Sequence, residues 1–254
     1  MLVTLAQAVR ELAQAGKVPV IAEIKHVIPG FRGDRPGTSR GVAAIARGYE
    51  RGGAVAISVV TERAHFGGAP QVDIPEVLGA VTLPVLIKDF ISDVTSVDEY
   101  ARIIGGYSRA AFKRCSLLLI SHHIGRLALP RLLERVRYYG MQPLVEVRGI
   151  RDLGLLANLQ EVELIGFNNK NIDVMETDDG GVKLNREFVR EVRAQRVDAL
   201  IVSASGHRNA ADIRRSMAAG ADAVLIGTSL LTAANPEALL ARFTEPVRPP
   251  QDTV

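Results

Sequence analysis

The chain has 254 residues, 47% of them hydrophobic and 23% charged, enough apolar material for a sizeable core in a soluble globular protein. Its formal net charge is +3; arginine is spread along the chain with no Lys/Arg block, which excludes a nucleic-acid arm and suits a small anionic ligand. The single cysteine, Cys115, excludes an internal disulfide framework, and no apolar run approaches the ~18 residues of a membrane-spanning helix.

The first element predicted is an amphipathic helix over Leu2–Ala15, stopped by Gly16. Met1–Thr4 lacks the basic flank and long apolar stretch of a secretion signal, so a cytoplasmic location is expected. Strands of nearly unbroken apolar sequence follow at Val18–Lys25, Ala54–Val60, Pro84–Lys88, Leu117–Ser121, Pro143–Val147, Val162–Phe167, Ala199–Ser203 and Ala223–Gly227. That pattern fits parallel strands buried on both faces. Amphipathic stretches lie between them, including Ser96–Ile104, Leu127–Tyr139, Asn185–Arg193 and Ala210–Ala219, with Gly140, Gly220 and Gly52-Gly53 at expected helix C-caps. Cys115, just ahead of the fourth strand, reads as a buried, inert thiol. The stretch 245–254 is Pro-rich and charged and reads as a loose tail.

Eight strand–helix units in about 250 residues predict a (β/α)8 TIM barrel with a short extra N-terminal helix (residues 1–17), the whole chain, 1–254, forming one domain. An open doubly wound sheet is the competing layout. In a barrel the site lies at the C-terminal strand ends. Those ends offer Glu23 and Lys25, Ser58 and Thr61, Lys88 and Asp89, Ser121-His122-His123, Glu146, Asn168-Asn169-Lys170, Ser203 and Ser205, and Gly227-Thr228. Glu23 and Lys25 are two apart and share a face, where the barrel mouth would let both be solvated. Any one such residue ordinarily just meets water. Two lysines, two glutamates and an asparagine converging from four strands instead suit acid–base chemistry. A lysine near other cations is expected to have a lowered pKa. Ser205-Gly206-His207 and Gly227-Thr228-Ser229, after the last two strands, are placed to hold a phosphate.

Several segments resemble the indole-3-glycerol-phosphate synthase family: "VIAEIK", "PVLIKDF" (84–90), "YYGMQPLVEV" (138–147), "LIGFNN" (164–169), "SASG" (203–206) and "ADAVLIGTSLL" (221–231). The similarity spans about residues 5 to 243. It implies a barrel carboxy-lyase that closes an indole ring on a carboxyphenylamino-deoxyribulose phosphate, releasing carbon dioxide and water, with no metal and no organic cofactor. By that resemblance Lys88 is the general acid at the sugar carbonyl. Lys25 steers the substrate carboxylate and helps the later dehydration, and Glu146 is general base or proton shuttle. Glu23 and Asn168 orient these groups, while Lys170, Ser205, Gly206, Gly227 and Thr228 lie on the phosphate side.

The chain also departs from the family pattern. Ile28 and Gly30 stand where two serines are usual, Ala204 where a glutamate is, Lys170 where an arginine is, Thr228 where a serine is, and His122 where a lysine is common. The segment ahead of the first strand is short for a cover over the substrate. Most of these changes fall on the aryl side, and the loop with Phe31, Arg32 and Arg35 reads as altered for a modified substrate. His122 is a candidate acid–base group, or a loop histidine paired with His123 in solvent. The readings left open are the ring-closing lyase, a specialised paralogue with another phosphorylated substrate, a Schiff-base aldolase using Lys88 or Lys25, and a non-catalytic sugar-phosphate-binding barrel. The partner expected is a small phosphorylated molecule, neither nucleic acid nor membrane, and the oligomeric state is not read from the sequence.

Overall fold

The computed structural model describes residues 2–32, 41–156, 162–177, 181–196 and 198–246. Arg35 and the tail from 247 onward therefore lie outside the described residues. Eight parallel strands close into a barrel in sequence order: β1 (Val20–Ile24), β2 (Ala56–Val60), β3 (Val85–Lys88), β4 (Cys115–Ile120), β5 (Gln142–Val147), β6 (Leu164–Asn168), β7 (Leu200–Ala204) and β8 (Ala223–Ile226). The ring is shut by β1 on β8, with Ile21 opposite Leu225. Each observed strand overlaps a predicted one, and the open sheet is ruled out.

Helices surround the ring: α1 (Leu5–Gln14), α2 (Val42–Arg51), α3 (Pro70–Ala80), α4 (Val94–Tyr107), α5 (Ser121–Tyr138), α6 (Ile150–Leu153), α7 (Arg186–Gln195), α8 (Ala210–Ala219), α9 (Thr228–Leu231) and α10 (Pro236–Phe243). Asp93, Asn185 and Asn209 cap α4, α7 and α8 by accepting backbone N–H bonds, satisfying donors that a helix start leaves free. Gly220 ends α8 at φ 106°, a conformation that costs a side-chain-bearing residue. The fourth strand differs from its expected bounds at both ends: Cys115 begins it, and Ser121 belongs to helix, not strand. The chain turns into α5 directly after Ile120, and the helix breaks at Gly125 (φ 77°).

Alternation along the strands divides the core in two. Val20, Ala22 and Ile24 face outward into the layer beneath the helices, whereas Ile21, Leu86, Leu118, Leu144, Leu164 and Leu225 fill the barrel. The inward series on β1 thus runs from Ile21 to Glu23 and Lys25. Leu5, Ala6 and Val9 of α1 join the interior cluster, and α1 is tied to the start of β5 by Ala6 N–H to Gln142 Oε1 (3.1 Å). This helix therefore seals the N-terminal end of the barrel, opposite the expected site, and forms no part of a cover over it.

Candidate active site

Period-two alternation brings Glu23, Lys25, Lys88, Glu146 and Asn168 to the C-terminal mouth from β1, β3, β5 and β6, but the mouth does not solvate them. Glu23 is 2% exposed, Lys25 4% and Lys88 8%. Buried charges persist only when paired, and Glu23 supplies the pairing: Oε1 lies 3.1 Å from Lys25 Nζ and Oε2 2.9 Å from Lys88 Nζ. Burial pushes the Glu23 carboxyl up, yet the two ammonium groups outweigh it and hold its pKa at about 2. The lowered lysine pKa expected from neighbouring cations is overturned. Burial does depress both amines, but Glu23 and Glu176 beside Lys25, and Glu23, Glu176 and Glu146 beside Lys88, leave both raised. Gly227 makes this packing feasible, since a Cβ there would stand 2.5 Å from Glu23 Oε1.

Glu146 accepts a hydrogen bond from Asn168 Nδ2 at 3.1 Å, and Asn168 Oδ1 accepts Lys170 N–H at 3.0 Å. Burial raises the Glu146 pKa against the pull of Lys88 and Asn168, so this carboxylate is the more readily protonated one. Asn169 clips the loops after β6 and β7 together: Nδ2 donates to Ser203 Oγ, Ala204 O and Ser205 O, and Oδ1 accepts the N–H groups of Lys183 and Leu184. Thr61 and Asp89 form a second clip around Tyr100, whose hydroxyl donates to Asp89; it fixes the backbone that carries Lys88.

Two cavities adjoin at the lysines. One is apolar, walled by Val60, Phe66, Phe90, Leu118, Ile120 and Ile172. Phe66 is pinned there because Glu62 accepts its backbone N–H and those of Ala64 and His65; its ring centroid lies 5.7 Å from Lys25 Nζ. The other cavity, about 110 Å³, is lined by Lys170, Ser205, Gly206, His207, Gly227 and Thr228 among others, so the phosphate-side residues expected from sequence do share one wall. His207 Nε2 lies 2.8 Å from Ser216 Oγ, and burial holds its imidazole pKa down at about 4, leaving it neutral near pH 7. Larger clefts exist, such as one of about 620 Å³ between α8 and α10, but they lack this chemistry.

Sequence reasoning missed Glu176. It lies in the loop after β6, and a Glu in a polar loop carries no special signal. Its side chain is nonetheless buried: Oε1 accepts from Ser205 Oγ at 2.9 Å and Oε2 lies 3.5 Å from Lys25 Nζ. Glu62 and Phe66, in the loop after β2, were missed for the same reason.

His122 stands directly after β4, as expected, but apart from the lysines. It is in the first turn of α5 and its ring does pair with that of His123, centroids 4.2 Å apart, but its side chain is only 9% exposed and both histidines contact Asp173. None of these contacts involves the lysine–carboxylate group. Among the described residues, His122, His123 and Asp173 are the side chains spaced to hold a metal ion, their ligand atoms all within 4.8 Å, though Arg148 already lies 3.4 Å from the second Asp173 oxygen.

A closed parallel barrel with buried ammonium and carboxylate groups between an apolar and a polar cavity defines a barrel enzyme of the acid–base class. The comparisons narrow that class. A family model described as indole-3-glycerol phosphate synthase matches residues 2–243. The indole-3-glycerol phosphate synthase of Pyrococcus furiosus is 35% identical over 93% of this chain and 96% of its own length. That of Leifsonia xyli is 36% identical over 93% and 83%, and the chloroplastic protein of Arabidopsis thaliana 32% over 86% and 52%. The chain belongs to the indole-3-glycerol phosphate synthase family, whose members are carboxy-lyases. Among the described residues no helix is long and apolar enough to cross a membrane.

Proposed function

We propose that the protein converts a carboxyphenylamino-deoxyribulose phosphate to indole glycerol phosphate, carbon dioxide and water. The observation that carries this reading is the Lys25–Glu23–Lys88 bridge at the junction of the two cavities. On this reading the aryl ring lies against Phe66 and Phe90, and the phosphate in the cavity of Lys170, Ser205, Gly206, Gly227 and Thr228. The sugar carbonyl then falls beside the lysines. Lys88 gives its proton to the oxygen as the aryl carbon attacks. The raised pKa of Lys88 does not forbid this, because the developing alkoxide is a stronger base than any amine, and a fixed charge there stabilises it. Lys25 holds the substrate carboxylate before it leaves as carbon dioxide and assists the dehydration. Glu146, whose charge acts on Lys88 from behind the cavities, exchanges protons by way of that lysine, while Glu23 and Asn168 hold these groups in place.

A Schiff-base aldolase is disfavoured, since that chemistry needs a neutral amine and both lysines are held protonated by carboxylates. The departures at Ile28, Gly30 and Ala204 favour a second reading, in which the same reaction is run on a modified aryl ring. Cys115, buried and unpaired at the start of β4, fits a reducing, cytoplasmic setting. Indole fluorescence from purified protein with the unmodified substrate, beside ring-substituted analogues, tests both readings. Wild type should turn over at least one of them, and Lys88→Ala should lower kcat by roughly 10³-fold. Equal rates for wild type and variant would remove Lys88 from the chemistry.

A further inference from the structure

The final dehydration needs a proton acceptor, and the carboxylates lining the two cavities can be sorted by how heavily each is engaged. Glu23 is held on both oxygens by lysines, Glu62 by three backbone amides, and Asp89 by Phe90 N–H and the Tyr100 hydroxyl. Glu146 faces neither cavity. Glu176 lines both, as do Glu23 and Lys25, yet among the described residues it holds only the Ser205 hydroxyl and a 3.5 Å contact with Lys25. Its oxygens keep lone pairs free at the junction where the carbons joining ring to sugar must lie.

Its backbone is built for that placement. Met175 and Glu176 take φ of 51° and 58°, left-handed values that strain a non-glycine residue and persist only when the surroundings impose them. Lys170 Nζ donates to the Glu176 carbonyl at 2.7 Å, and Glu176 N–H to Asn171 O at 3.0 Å, folding the loop back into the mouth. The inward position ending β7 is only the methyl of Ala204, and Glu176 binds the hydroxyl of the next residue. A loop carboxylate thus serves the side of the site where the strand offers none.

We propose that Glu176 is the catalytic base of the dehydration, an assignment that rests on the ring-closing reaction proposed above. The methylene C–H beside the nitrogen breaks, and its electron pair becomes the ring C=C bond. The C–O bond of the hydroxyl made in ring closure breaks with its pair, which takes a proton from Lys25 and leaves as water, while Glu176 takes the methylene proton. That proton returns to Lys25 across the 3.5 Å contact, so the pair ends each cycle as it began.

Single-turnover experiments with wild type, Glu176→Gln and Glu176→Asp, following carbon dioxide release and indole formation separately, test this. In Glu176→Gln carbon dioxide should appear at close to the wild-type rate, while indole formation falls by roughly 10²-fold and acquires a primary isotope effect on deuterating the methylene. Glu176→Asp should recover part of the indole rate. Thermal melting of each variant reports whether the loop change has cost stability. Indole formation at the wild-type rate in Glu176→Gln, or an equal loss of both products, overturns the assignment while ring closure by the wild type stands. Absence of any turnover by the wild type overturns both.

Discussion

At the scale of single residues, Glu23 decides whether the site exists. It is the counter-charge that two buried ammonium groups share, and removing one member of such a group leaves charge uncompensated in a poorly solvated place. Glu23→Gln should therefore destabilise the fold by about 3 kcal/mol at pH 7. The pH dependence follows from the carboxyl being held down to about 2 from its ordinary 4.5. The stability Glu23 contributes is fully present above pH 4.5 and is lost as pH falls toward 2, because the unfolded chain then binds a proton that the folded one refuses. Urea unfolding at pH 7, 4 and 3 should show the gap between wild type and Glu23→Gln closing on acidification. A gap that stays constant across that range would contradict the pairing described.

At the scale of elements, α1 and the loops divide stability from chemistry. Leu5 is fully buried at the closed end of the barrel, so Leu5→Ala should cost about 3 kcal/mol. The kcat/KM measured well below the melting temperature should stay within about twofold, since no α1 residue reaches the cavities. A matching fall in kcat/KM would place α1 in the site after all. The strands were legible in the sequence because continuous β-branched runs leave parallel strands little alternative, and alternation then fixed which polar residues reached the mouth. Glu23, Lys25, Lys88, Glu146 and Asn168 could be gathered that way. Loop residues could not. Glu176, Glu62 and Phe66 reach the site through left-handed backbone, lysine-to-carbonyl bonds and amide capture, none of which has a period. Ser121 departs from expectation because α5 begins without a connecting loop, and the lysines because three dimensions bring Glu23 and Glu176 close enough to outweigh both burial and the other cation.

At the scale of the whole molecule, the barrel concentrates its charge chemistry at one end and its packing at the other. The two cavities are lined by four carboxylates, Glu23, Glu62, Asp89 and Glu176, and by four cations, Lys25, Lys88, Lys170 and Arg208. A net charge of +3 spread over the surface can draw an anion toward the protein, though salt screens that pull beyond roughly 10 Å.

That even balance bears on what happens when the ligand arrives. A molecule carrying both a phosphate and a carboxylate brings an excess of negative charge into a neutral crevice, and the least costly relief is for Glu146, already inclined to hold hydrogen, to be neutralised on docking. Titration calorimetry with a carbonyl-reduced analogue, in buffers of differing ionisation enthalpy, should record a net uptake of hydrogen ions from the medium on binding. The heat would be independent of buffer if the crevice met its guest with positive charge to spare.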